Sequence, residues 1–119
     1  MKLEWLRLDG GNWYDLQTVD LAHKHFDDLQ GVYVIWQTTV TTGNVVKVGQ
    51  GVIRDRLQSH REDPVIQKHN TGGLSVTWAK VDGRSVDGVE RYLGDTLTPK
   101  VAHRFPDVTP IAVNLPGQA

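Results

Sequence analysis

Cysteine is absent from this 119-residue chain, which excludes a disulfide framework and any thiolate metal site. A reducing, cytoplasmic setting fits that absence. No apolar run approaches the roughly 20 residues that cross a bilayer, so no membrane partner is expected. The opening Met1-Lys2-Leu3-Glu4-Trp5 brings an acid early and no long apolar stretch, unlike a secretory leader. Also missing are a P-loop, a Rossmann glycine fingerprint, zinc-ligand spacing and a local context for a Ser–His–Asp triad. There is no internal repeat and no low-complexity linker. Strong charge of either sign is lacking too. The net of −1 offers no global argument for a nucleic-acid partner.

The chain does hold enough apolar residues for one compact core, 39% of the total. Charge is unevenly spread. Residues 1–30 carry six acids against three Lys/Arg, a net of −3, whereas residues 31–119 carry eight against ten, a net of +2. A basic face on the 47–61 segment that meets phosphate is one reading of this swing, and chance is the other.

Residues 2–8 alternate apolar and polar, as a half-buried strand does, and Asp9-Gly10-Gly11-Asn12 closes that run as a turn. Leu16, Val19, Ala22, Phe26 and Leu29 fall three and four apart, which predicts a helix over 15–29 stopped by Gln30-Gly31. Residues 31–37 are β-branched and aromatic, a strand buried on both faces. A Thr-rich connection through Gly43-Asn44 leads to a returning strand at 45–49, broken by Gly49 and Gly51. A helix over 52–62 follows, then a short helical piece from Pro64 to about His69, a third core strand at 74–80 and a helix over 84–97. Asp82 and Ser85 are its candidate N-caps and Pro99 ends it. The proline-rich tail 104–119 contains one apolar run, Ile111-Ala112-Val113.

Arg56 and His60 stand one turn apart on the 52–62 helix and share an edge with Ile53. A guanidinium offers planar donors that match phosphate oxygens, and an imidazole one turn on can hold a water or move a proton. A solvated basic face is the alternative. Glu90 lies within or at the edge of the inward stripe made by Val86, Val89, Leu93 and Leu97. A carboxylate facing a core needs a divalent cation or an internal cation as partner. Tyr33 sits in the first core strand, where a packed aromatic with a bonded hydroxyl is the ordinary role. Trp5, Trp36 and Trp78 are assigned to packing. His23-Lys24-His25-Phe26-Asp27-Asp28 has a His-x-His-x-Asp spacing, but in a helix residues two apart diverge, so a solvated terminus is the better reading. His69 and His103 receive no role.

Taken in order, these pieces resemble the GIY-YIG endonuclease family. Gly31-Val32-Tyr33 matches the first motif, Lys47-Val48-Gly49 the second, Arg56-Leu57-Gln58-Ser59-His60 the following helix, Glu90 the metal-binding glutamate and Asn114 the late asparagine. The resemblance covers residues 31–115, and in it Lys47 replaces the second motif's tyrosine. It implies an α+β fold with a small, mainly antiparallel three-stranded sheet flanked by helices, to which residues 1–30 add a strand and a helix as an extension on a 31–119 nuclease domain. It implies hydrolysis of phosphodiesters in DNA (or RNA) with a single Mg²⁺ or Mn²⁺. Tyr33, Lys47, Arg56 and His60 would be catalytic, Glu90 the metal ligand, Asn114 a phosphate-positioning residue, and Gly31 and Gly49 backbone turns. Lys47 would hold a phosphate oxygen and favour the phenolate of Tyr33. With no separate DNA-binding domain, targeting would fall to a homodimer, a partner protein or the loops. A non-catalytic nucleic-acid or protein-binding module on the same fold is the alternative.

Overall fold

The computed structural model describes residues 1–117, so the last two residues of the 31–119 assignment lie outside it. The chain is an α+β fold built on a four-stranded antiparallel sheet. The strands are β1 (Tyr14–Asp15), β2 (Gln30–Gln37), β3 (Val45–Val52) and β4 (Leu74–Lys80), in the spatial order β1-β4-β2-β3. Helices α1 (Ile53–Glu62) and α2 (Pro64–Gln67) follow β3, and α3 (Val86–Leu97) follows β4.

β2 is paired on both edges and covered on both faces, which is why it reads as a continuous apolar run. Its side chains alternate between two cores. Tyr33 and Ile35 pack with Ile53 and Leu57 of α1, whereas Val32 and Val34 pack with Val89 and Leu93 of α3. The sheet is therefore the middle of three layers, and each fully buried Leu or Ile in those layers contributes on the order of 1.5–3 kcal/mol. β3 forms the sheet edge. Part of it is covered by the chain after α3, where the Lys100 and Val101 N–H groups donate to the Val45 and Val46 carbonyls.

The helix ends follow local chemistry. Asp63 accepts from Val65 N ahead of α2, with Pro64 at its first turn. Before α3, Asp82 Oδ1 accepts from Arg84 N and Ser85 N, while Ser85 itself makes no side-chain cap bond to the helix. Thr98, at φ 43°, closes α3 just before Pro99.

The N-terminal third departs from its pattern. Residues 2–8 form no strand, although Leu6 N donates to Trp78 O and Thr77 Oγ1 to Leu6 O. The strand added to the sheet is β1, paired to β4. The 15–29 helix is replaced by turns and one 3₁₀ turn, Lys24–Phe26. Asp15 Oδ1, Asp20 Oδ1 and His23 Nδ1 each accept the N–H two residues on, a local alternative to helical bonding. The apolar spacing still serves its purpose, since Leu16, Val19 and Phe26 all enter the α1-side core.

Gly31 and Gly49 are not turns either. Both lie inside paired strands, because each leaves room for a neighbour: the Ala79 carbonyl at Gly31 and the Tyr33 hydroxyl at Gly49. β3 thus continues through Gly49 and Gly51 to Val52. No helix among the described residues is long and apolar enough to cross a membrane.

Candidate active site

At the β3 edge the two faces of the sheet meet in an open cleft of about 360 Å³, lined by Tyr33, Lys47, Gly49, Gln50, Arg56, His60, Glu90 and His103. Hairpin register places Tyr33 opposite Gly49, and the missing side chain there opens the space its ring fills. Gly51, at φ 132°, takes a backbone conformation that side-chain-bearing residues avoid. A Cβ there would stand 3.1 Å from Arg56 Nε, so this glycine also lets the guanidinium lie against the strand. His60 follows one turn after Arg56 on α1. Glu90 comes from the opposite layer and is 4% exposed on the inward stripe of α3.

Tyr33 Oη and His60 Nε2 are 2.6 Å apart in a buried contact. Burial pushes the Tyr33 hydroxyl well above its ordinary value, against the pull of Arg56, and Glu90 adds to the rise. The hydroxyl therefore stays protonated, and the phenolate expected from the Lys47 charge is not favoured. Burial, reinforced by Lys47, lowers His60 to about 4, which keeps the imidazole neutral at pH 7. His60 Nδ1 is buried without a partner among the described residues. Lys47 is itself lowered, first by burial.

Each Glu90 oxygen has a nitrogen neighbour. Gln50 Nε2 donates to Oε1 at 3.2 Å, and His103 Nε2 stands 3.3 Å from Oε2. Lys47 Nζ lies 2.9 Å from the other His103 nitrogen, Nδ1. Gln50 also donates to Asp87 Oδ1 at 2.6 Å. Among the described residues no group of three or more His, Asp or Glu is clustered to hold a metal ion. The donor set that remains is one buried carboxylate, whose oxygens keep lone pairs beyond the one taken by Gln50; such an oxygen donor fits only a hard cation that retains most of its water.

Five of the residues singled out for chemistry, Tyr33, Lys47, Arg56, His60 and Glu90, therefore share the cleft. Asn114 does not line it. Its side chain accepts from Leu3 N at 2.6 Å and donates to Leu3 O at 3.0 Å, fastening the C-terminal segment to the N-terminal one. It lines instead a separate groove of about 640 Å³, beside Trp5, Arg7 and Trp13. The basic 47–61 segment also divides. Arg54 donates to Leu21 O and His23 O, and Arg61 to Leu16 O and Val19 O, so both serve the backbone of the N-terminal turns. His25 Nε2 accepts the Trp78 indole N–H at 3.0 Å, which gives that histidine a packing role.

Two cleft residues, Gln50 and His103, were not picked out by motif or spacing. Gln50 sits opposite Val32 and shares its α3-facing side. That placement follows from the hairpin register once the register is known. His103 carried no such signal, since it lies in an irregular segment. No family model, curated protein or solved structure matches this chain.

Proposed function

We propose that this chain is a metal-dependent endonuclease that hydrolyses phosphodiester bonds in DNA or RNA, with a site of the GIY-YIG type. The observation that carries this reading is the gathering of Tyr33, Lys47, Arg56, His60 and Glu90 from separate elements into one cleft.

In this reading Tyr33 and His60 are the proton path. With the phenol donating to Nε2, a water at Tyr33 Oη gives up its proton as the phenol proton moves to His60. No phenolate forms beforehand, which agrees with a hydroxyl that burial holds protonated. Arg56 faces charge building on the phosphoryl oxygens, and Lys47 keeps two N–H donors for a phosphate oxygen beyond the one directed at His103. Glu90 would hold Mg²⁺ or Mn²⁺, which when bound supplies stabilisation to the leaving 3′ oxygen and the scissile phosphate. The products would carry a 5′-phosphate and a 3′-hydroxyl.

Nicking of supercoiled plasmid with Mg²⁺ or Mn²⁺ tests the reading. The parent is expected to cleave. Arg56→Ala should lose about 10²–10³ in rate, the usual cost of removing one donor to transition-state charge, and Glu90→Gln should lose cleavage entirely. Salt-sensitive binding of nucleic acid by a folded parent with no cleavage would favour a binding module on the same fold.

A further inference from the structure

His103 sits outside any helix or strand, yet its place is fixed from both sides. Before it, Lys100 and Val101 add the chain to the β3 edge. After it, Phe105 packs against Gly94 of α3, where a Cβ would meet the ring at 2.5 Å. Further on, Arg91 Nη1 donates to Pro106 O and Ile111 N to Gly88 O, and the Ile111 side chain fills the space left by Gly88. A glycine inside a helix is less favourable than alanine, and at both positions of α3 the returning chain occupies the space so made.

Between these anchors His103 reaches across the cleft. An ammonium has donors only, so at 2.9 Å from Lys47 Nζ the Nδ1 atom is the acceptor and the ring proton resides on Nε2. That nitrogen faces Glu90 Oε2 at 3.3 Å, while Gln50 takes Oε1. The ring also packs on Phe105, with centroids 4.4 Å apart. One carboxylate oxygen thereby accepts from Gln50 of the edge strand, and the other lies within ion-pair distance of the His103 ring.

We infer that Lys47 and His103 form a positioning pair that aims the Glu90 carboxylate at its divalent cation, an inference that rests on Glu90 being the cation's anchor. Lys47 then acts on the site through His103 as well as on phosphate. Partners of this kind, bonded to a metal-holding group, govern its orientation, and their loss costs about 10–100-fold in metal affinity.

Mn²⁺ titration of the nucleic-acid-free protein, read by electron paramagnetic resonance, is the test. His103→Ala and Lys47→Met should each weaken binding by about 10–100-fold. His103→Gln, whose amide both accepts and donates, should recover most of it. Unchanged or tighter binding by His103→Ala, with Glu90→Gln still abolishing it, overturns the positioning pair alone. No binding by the parent, or full binding by Glu90→Gln, overturns the cation site and the pair together. A second readout needs no metal. Nitrogen-15 spectra of the parent should show His103 protonated at Nε2, and Lys47→Met should change that tautomer balance. An Nδ1-protonated ring in the parent overturns the pair.

Discussion

His60 shows how far a single side chain can be moved by its surroundings. Its place one turn after Arg56 was readable from helical spacing, but its burial against Tyr33, 27 residues upstream, was not, because that contact depends on the register of the β2–β3 hairpin. Burial, then the Lys47 charge, brings it down to about 4, whereas a histidine in an unfolded chain titrates near 6.5. The unfolded chain thus takes up a proton that the folded one refuses. Stability from this group is fully present above about pH 6.5 and is lost as pH falls toward 4, by about 3 kcal/mol over that window. Urea unfolding of the parent and His60→Gln at pH 7.5 and 4.5 checks the sign. The parent should lose about 2–3 kcal/mol more than the variant between the two pH values. Equal losses would mean that His60 is not held neutral.

At the scale of elements, β2, β4 and the two long helices were legible because each has the composition or period and the end signals of its kind, whereas β1 carries no such pattern and β3 runs past the glycines expected to break it. The 15–29 segment was misread because apolar residues at helical spacing can enter a core from a chain of turns. What tips the balance there is polar. Short side chains bond the backbone two residues ahead, and two arginines of α1 collect the carbonyls that a helix would have used internally. α1 accordingly carries arginines of two kinds. Arg61 serves the Leu16 and Val19 carbonyls, so Arg61→Ala should cost about 1–3 kcal/mol in denaturant unfolding by leaving these groups without donors. Its cleavage rate per folded molecule should stay near that of the parent. Arg56 faces the cleft and should show the reverse, little change in stability and a large loss in rate. If both variants fell together in stability and rate, the division of labour along the helix would be wrong.

At the scale of the whole molecule, the cleft needs both outer layers. Tyr33 and His60 belong to the α1 side, Glu90 and Gln50 to the α3 side, and they meet only because β3 is an edge around which side chains from both faces can reach. Closure of the α3 side depends on the two ends of the chain. Met1 N donates to Ala112 O, Trp5 Nε1 to Asn114 O, and the Asn114 amide bonds both backbone groups of Leu3, a residue of the α3-side core. An asparagine at that point of the sequence looked like a phosphate contact because order along the chain carries no information on where the tail turns. Packing decided otherwise: the tail runs along the first residues instead of into the cleft. Asn114→Ala separates the two roles. A fastening role removes two hydrogen bonds and should lower stability by about 1–3 kcal/mol in denaturant unfolding, with Mn²⁺ affinity and the cleavage rate per folded molecule kept. A phosphate-positioning role would leave the unfolding midpoint in place and lower the rate at saturating metal. The observed bonds to Leu3 require the first outcome.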